Sequence, residues 1–160
     1  MRKFVDKILS SFLVGLMGLM VLNVLWQVIS RYLLNDPSTF TDEIAGFMLM
    51  WLGLLGASYA TGQGLHLSID LLSQKFSEKH DFTLEFFTNL MVIAFALLVM
   101  VIGGGRLVYI TLSLKQTSSN LSIPLGYVYA VLPLSGSFII FYCISNIQQK
   151  FKLKSTNANN

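Results

Sequence analysis

The side chains that could do chemistry are few in this chain of 160 residues. Its two histidines, His66 and His80, lie in a polar connection, whereas membrane haem ligands would be expected inside facing helices. Its single cysteine, Cys143, cannot form an internal disulfide, and its apolar surroundings favour a small packing residue. No HExxH, GxSxG or phosphate-loop pattern occurs. The sequence therefore predicts no enzyme, and no catalytic, cofactor-binding or metal-binding residues.

The composition is typical of a membrane protein. Hydrophobic residues make up 54% of the chain and charged residues 12%, against roughly 25% charged residues in soluble domains. The net charge is +3, but no basic stripe is interleaved with aromatic residues, so nucleic-acid binding is not expected. We predict a multi-pass membrane protein.

Four apolar stretches each approach or exceed the ~20 residues that cross a bilayer as a helix. Because backbone polar groups cannot remain unpaired in hydrocarbon, each stretch must be helical. The sequence thus predicts an all-α integral membrane protein with one transmembrane domain over 1–150 and a disordered cytoplasmic tail over 151–160. The four predicted transmembrane helices cover about 8–34, 41–62, 83–114 and 124–149.

The basic residues predict the orientation, because Lys and Arg accumulate on the cytoplasmic side of a membrane. With both termini inside, three of the 11 Lys and Arg residues (Arg31, Arg106 and Lys115) lie in the outer half, and the other eight lie inside. We therefore expect both termini to be cytoplasmic.

Two short amphipathic helices are also expected at the membrane surface. At the N-terminus, Phe4, Ile8 and Phe12 recur at helical spacing, while the charged residues fall on other faces. In the cytoplasmic connection after the second span, one apolar helical face is formed by Leu65, Ile69, Leu72 and Phe76.

Three of the charged residues in the outer hairpin between spans one and two lie at the ends of those spans. Asp42 and Glu43 fall in the first turn of span two, where the helix dipole favours negative charge, and Thr39 with Asp42 resembles a capping box. Arg31 ends span one and can snorkel or pair with either acid. The alternative to this structural role is a contact with another subunit.

Small residues on span two indicate close helix packing. Gly53 with Ala57 and Gly56 with Ala60 form two overlapping pairs of small residues separated by three positions. Such pairs let helices approach closely in lipid. The residues with this predicted role are Gly46, Gly53, Gly56, Ala57 and Ala60. Their partner is another span of this chain or a different protein.

Polar residues also line one side of span one. Asn23, Gln27 and Ser30 are expected to form hydrogen bonds to another helix or to face a cavity, because polar groups at membrane depth rarely face lipid. Arg106 follows three glycines near the outer end of span three, where it either snorkels to headgroups or pairs with a partner.

Two aromatic residues have distinct expected positions. Trp51 lies well inside span two, so its indole should contact protein, whereas Tyr127 lies near the outer interface, where aromatic residues are common. Pro133, inside span four, should kink that helix.

No Asp or Glu lies within the apolar cores of the four spans, which are residues 8–29, 44–61, 86–114 and 126–147, although ion-coupled transporters usually carry ionisable groups near the midplane. An accessory membrane subunit is therefore favoured. The segments SRYLLNDPSTFTDEIAGFMLMWLGLLGASYA, HLSIDLLSQKF and SIPLGYVYAVLP, in this order and spacing, resemble the small membrane subunit of tripartite ATP-independent periplasmic (TRAP) transporters, and the chain is most similar to the sialic-acid group.

The resemblance implies a multi-pass protein of the bacterial inner membrane, surrounded by lipid, with no cofactor. Its expected partners are a large membrane subunit, which holds the substrate and sodium sites, and a periplasmic substrate-binding protein. The expected substrate is an organic acid, either sialic acid or a C4-dicarboxylate. Arg31, Asp42, Glu43, Trp51, Arg106 and Tyr127 become candidates for the subunit interface or the periplasmic docking face. The alternative is a self-associating channel or an unrelated accessory subunit.

Overall fold

The computed structural model of the chain describes the backbone of residues 2–34, 39–63 and 78–157, and the side chains of 2–34, 39–63 and 87–148. Four helical stretches in these residues are long and apolar enough to cross a membrane. The predicted all-α fold with four spans is therefore confirmed. The elements are α1 (Arg2–Tyr32), α2 (Thr39–Gly62), α3 (Glu78–Phe95), a π-helix (Ala96–Gly103), α4 (Gly104–Ser113), α5 (Leu125–Tyr129) and α6 (Val131–Asn157).

The first helix begins earlier than the sequence pattern indicates. A separate surface helix is predicted before the first span, but α1 is one helix from Arg2 to Tyr32, because no proline or turn motif divides it. Its 31 residues make it about 46 Å long, so it exceeds the ~30 Å hydrocarbon core. The surface helix predicted on Leu65, Ile69, Leu72 and Phe76 lies outside the described residues.

The last helix also extends past its predicted end. It continues to Asn157, where the sequence pattern predicts a tail from residue 151. The orientation of both termini in the membrane stays a prediction.

The central element of the bundle is α6, because it packs against both α2 and the π-helix, while α1 packs mainly on α2. One core cluster joins Leu9, Leu55, Val131 and Tyr142 across three helices. A second cluster joins Ala96 and Met100 of the π-helix to α6, where Cys143 is fully buried, as its predicted packing role requires. Of the most apolar 18-residue stretch in each span, 39% of the residues are buried in the fourth span but only 6% in α1. Most of the surface of α1 is therefore left to contact lipid or another protein.

The third span changes its helical geometry halfway along. Between Ala96 and Gly103 the helix is π-helical, which means that its backbone hydrogen bonds span five residues rather than four. Glycines at 103, 104 and 105 follow directly. The wide turns bring Ala96 and Met100 against α6.

Close helix contacts occur at other glycines than those predicted. An added Cβ at Gly46, Gly53 or Gly56 would meet nothing within 4 Å in the described residues, so the small-residue pairs of α2 do not pack against the part of the chain that the structure describes. Ala57, in the same pairs, is exposed, and Ala60 is half-buried. The reason is that α2 turns its buried Leu55 and Ser58 towards its neighbours instead. The glycines that approach other helices are Gly62, Gly104, Gly126 and Gly136.

We expect Gly104→Ala to destabilise the protein, whereas Gly105→Ala should not. A Cβ at Gly104 would lie 2.9 Å from the Leu132 Cβ and 3.3 Å from the Pro133 backbone nitrogen, but at Gly105 it would meet nothing within 4 Å. Overpacking costs about 1–3 kcal/mol, and both variants share the ~1 kcal/mol gain in helix propensity. Thermal unfolding of both variants in detergent measures the difference. Equal midpoints would show that α4 does not approach α6 so closely.

Candidate functional site

The polar stripe of α1 faces the start of α2 at the end of the bundle that the charge pattern predicts to be periplasmic. This end and its loop between the third and fourth spans are named the outer end and the outer loop according to that prediction. Asn23 donates from Nδ2 to the Thr41 carbonyl at 2.9 Å. Gln27 donates from Nε2 to a carboxylate oxygen of Asp42, and Ser30 is buried. Asn23 and Gln27 therefore form hydrogen bonds within the chain, which was one of the two expected roles of this stripe.

Asp42, which was predicted to complete a capping box with Thr39, bonds to α1 instead. Thr39 is the first residue of α2 and not the residue before it, so it does not occupy the N-cap position of the predicted box. Asp42 accepts its hydrogen bond from α1 through Gln27. It therefore fixes the first hairpin in addition to lying in the first turn, where negative charge is favourable.

The carboxylate of Glu43 binds the loop between the third and fourth spans. It accepts hydrogen bonds from the Ser118 hydroxyl, from the Asn120 N–H at 3.2 Å to both oxygens, and from the Leu121 N–H at 3.1 Å. Successive backbone N–H groups turned to one side form a nest that suits an anion. Glu43 is thus occupied within the chain, and any effect it has on a partner must act through this loop.

The loop that Glu43 binds is a compact hairpin. Its backbone is closed by bonds from the Ser118 N–H to the Ile123 carbonyl at 2.9 Å and from the Leu125 N–H to the Gln116 carbonyl at 3.0 Å. Ser122 has a positive φ of 55°, a conformation that non-glycine residues rarely adopt. The outer loop therefore has a defined shape, and Glu43 holds its residues 118–121.

Trp51 contacts protein, as its depth in the span predicts. Its Nε1 donates to the Val128 carbonyl at 3.1 Å, and its ring centroid lies 6.4 Å from that of Phe12. The fourth span is interrupted at Ala130, between α5 and α6, three residues before Pro133, whose ring cannot continue helical bonding. Trp51 thus connects α2 to the segment next to this break.

The other candidates point away from the bundle. Arg31 and Arg106 are exposed, and neither side chain has an ion pair or hydrogen bond with the part of the chain that the structure describes. Tyr127 is 66% exposed. Arg31 therefore does not pair with Asp42 or Glu43 across the hairpin, because those acids have other partners. These three side chains remain available to lipid headgroups or another protein.

Three further contacts were not predicted, two at the opposite end of the bundle and one in its interior. Arg2 donates to the Gly62 carbonyl at the end of α2, and the Tyr142 hydroxyl donates to Asp6 at 2.7 Å. The position of Asp6 just before an apolar run could have indicated a paired acid. Its partner, Tyr142, could not be identified from local sequence because it lies 136 residues away. Deeper in the bundle, the hydroxyl of Ser58 donates to the Ser135 carbonyl at 3.0 Å.

The described residues offer no arrangement for metal chemistry. No group of three or more His, Cys, Asp or Glu side chains within them could hold a metal ion. Asn89, buried in span three, has an Oδ1 without a hydrogen-bond partner in the described structure. What the site provides is a set of helix-to-helix bonds and a shaped outer surface.

Comparison with known proteins points to one family. The profile described as "Tripartite ATP-independent periplasmic transporters, DctQ component" matches residues 20–153. The sialic acid TRAP transporter small permease protein of Vibrio cholerae is 29% identical over 137 residues, covering 82% of this chain and 79% of that protein. The C4-dicarboxylate TRAP transporter small permease protein of the same organism is 36% identical over 70 residues, covering 44% of this chain and 30% of that protein.

A longer relative matches almost all of this chain. The sialic acid TRAP transporter permease protein SiaT of Haemophilus influenzae is 26% identical over 161 residues, covering 94% of this chain and 24% of that protein. All these relatives are transporter permease proteins and not enzymes, in agreement with the prediction from motifs.

We expect Glu43→Gln to loosen the outer loop. Loss of the negative charge weakens the bonds from the Asn120 and Leu121 N–H groups, so these amides should exchange with deuterium about three- to tenfold faster. Hydrogen exchange of the full-length protein in detergent measures this. Asp42→Asn is the matched control, because Asp42 bonds to Gln27 instead. Unchanged exchange in E43Q, or an equal increase in D42N, would contradict the assignment.

Proposed function

This chain belongs to the DctQ-component family of TRAP transporters, and we propose that it serves as the small accessory subunit of a sodium-coupled importer of an organic acid. It lies in the bacterial inner membrane, with both termini cytoplasmic. Its proposed partners are a large membrane subunit and a periplasmic substrate-binding protein. The observation that carries the proposal is the family match over residues 20–153, which includes all but the first part of the four-span bundle.

The proposed substrate is sialic acid, with C4-dicarboxylates as the second candidate. The relative from the sialic acid system covers 82% of this chain, whereas the relative from the C4-dicarboxylate system covers 44%. The two grooves described in this structure are lined almost entirely by apolar residues and do not discriminate the two acids. The choice therefore rests on the extent of the similarity.

The acids of this chain support placing the ion and substrate sites on another subunit. Among the acidic side chains that the structure describes, Asp6 accepts from Tyr142, Asp42 from Gln27, and Glu43 from the outer loop. Each lies near a helix end and has a partner within the chain. An ion-coupling site needs ionisable groups that can exchange partners during transport, and these acids form fixed structural bonds instead.

The SiaT similarity supports a large membrane partner. A region like this chain corresponds to 24% of that permease protein, so we propose that a separate large subunit supplies the corresponding remainder here. The open face of α2 at Gly46 and Gly53 is the proposed contact, because small residues let a helix approach closely in lipid. Beside this face lies a groove of about 410 Å³, between Leu49, Gly53, Leu107 and Leu132.

The proposed role is that of a rigid scaffold. The outer loop is fixed to α2 by Glu43, and α2 is fixed to α1 by Asn23 and Gln27 and to the fourth span by Trp51. A binding protein that delivers substrate needs a surface whose shape does not change between cycles. Arg31 and Tyr127, which are exposed at this end, are proposed docking residues.

Affinity purification tests the assembly. The tagged chain, extracted from native membranes in mild detergent, is expected to co-purify with a large polytopic protein in a fixed ratio. Proteoliposomes containing both should accumulate sialic acid only with an inward sodium gradient and the periplasmic protein. Recovery of this chain alone or as a homo-oligomer with ion conductance would contradict the scaffold role and favour a channel.

Reversing the charge of Glu43 should impair transport more than expression. Glu43→Lys places a cation against the N–H groups of Asn120 and Leu121, so the outer loop should leave its position. We expect uptake to fall by about tenfold or more at near-normal protein levels. Asp42→Lys, which makes the same charge change on the neighbouring residue but breaks the bond from Gln27 instead of those from the loop, is the matched comparison. Normal uptake by E43K would mean that the loop is not required for docking.

Gly53→Leu should prevent assembly while the chain itself still folds. Within the described residues nothing lies within 4 Å of an added Cβ at Gly53 or at Gly18, so Gly53→Leu and Gly18→Leu should share the same gain in helix propensity and unfold at equal midpoints. Only Gly53→Leu should reduce recovery of the large subunit, because a leucine there would block close helix approach. Equal recovery with both variants would exclude this face of α2 as the interface.

A further inference from the structure

An apolar groove runs between α1 and α6 at the end of the bundle where α1 begins. Its volume is about 360 Å³, within the ~300–1,000 Å³ range of ligand pockets. Ile8 and Phe12 form one wall, Leu134 and Phe138 form the other, and Trp51 and Leu55 lie beneath them. The groove is distinct from the α2 face proposed above for the large subunit.

The lining of the groove suits a hydrocarbon chain and excludes polar ligands. Every lining residue is apolar or aromatic, and the indole N–H of Trp51 is already bonded to the Val128 carbonyl. The Ile8 and Phe12 side chains are 55% and 45% exposed, so the groove opens sideways from the bundle. Cavities of this composition do not hold ordered water, and in a membrane the available apolar molecules are lipid acyl chains.

Positive charge lies beside the open wall of the groove. Lys3 and Lys7 directly precede Phe4 and Ile8, which line it, and the two lysines lie four residues apart on one face of α1. Both are exposed. The nearby Asp6 offsets only part of this charge, because it is one acid against two lysines, and its carboxylate faces Tyr142 on α6.

We propose that this groove is a specific binding site for an anionic phospholipid. One acyl chain lies between α1 and α6, over Leu55 and against Trp51, and the headgroup phosphate lies at Lys3 and Lys7. Ammonium groups are common ligands of phosphate, and basic residues next to a span attract anionic headgroups. Because α1 has so little buried surface, a bound lipid would fill the space that its packing against α6 leaves open.

Trp51 provides the measurement, because the chain contains only two tryptophans. Trp26 is 55% exposed on α1 and is not part of the groove. The full-length Trp26→Phe variant, reconstituted in phosphatidylcholine vesicles, reports Trp51 quenching by phosphatidylglycerol carrying brominated acyl chains. The comparison experiment uses brominated phosphatidylcholine at the same mole fraction. The Trp51→Phe variant retains Trp26 and reports contact with bulk lipid.

We expect Trp51 to be half-quenched at a roughly tenfold lower mole fraction of the brominated anionic lipid than of the zwitterionic one. The double variant Lys3→Gln with Lys7→Gln should abolish this preference, whereas Lys152→Gln with Lys154→Gln, which removes the same charge elsewhere, should retain it. Trp26 should show no preference.

Three outcomes would overturn the proposal. Equal quenching of Trp51 by both lipids would show that the groove holds bulk lipid. A preference unaffected by the loss of Lys3 and Lys7 would exclude them as the headgroup site. Loss of Trp51 quenching when the large subunit is reconstituted with the chain would identify a helix of that protein, and not a lipid, as the occupant. This last result would leave the proposed scaffold function intact.

Discussion

The carboxylate of Glu43 fixes the outer end of the bundle, because it joins the start of α2 to a loop 75–78 residues later in the chain. Charged side chains and backbone N–H groups cannot remain unpaired near hydrocarbon. Each must therefore bond to another group of the protein or lie at the membrane surface. Glu43 satisfies this requirement for several loop donors at once. The position of this loop against the start of α2 depends on these bonds.

The same requirement explains how the four spans are connected. Asn23 and Gln27 join α1 to α2, Trp51 joins α2 to the fourth span, and Asp6 joins α1 to α6 at the other end. Apolar packing between helices has little driving force in lipid, since lipid tails are equally apolar. These few polar contacts, with the glycines that allow close approach, therefore specify which helices are neighbours. Most of the surface of α1 is not covered by the other described helices of this chain.

The sequence predicted the spans well, because their length and apolar composition are local properties that the bilayer thickness determines. It also placed Trp51 against protein, since a tryptophan deep in a span seeks a partner for its N–H. It did not identify which glycines pack. Gly53 and Gly62 look alike in the sequence, but only Gly62 meets a neighbour, the ring of Tyr142. That difference depends on how α2 is rotated against α6, which no local pattern encodes. The partners of Glu43 and Asp6 were missed for the same reason, because they are far away in sequence.

The π-helix in the third span has a consequence for how this region is compared and mutated. Because its hydrogen bonds span five residues, the stretch Ala96–Gly103 holds more residues per turn than the α-helix on either side. Residues before and after the π-helix therefore cannot be assigned to one helical face by a single spacing of about 3.6 residues. If α-helical spacing is continued from Val92 through the π-helix, Arg106 is assigned to the wrong side of the helix. Relatives with a plain α-helix here should align with a one-residue gap, and any contact inferred for Arg106 must be counted from Gly104 onwards.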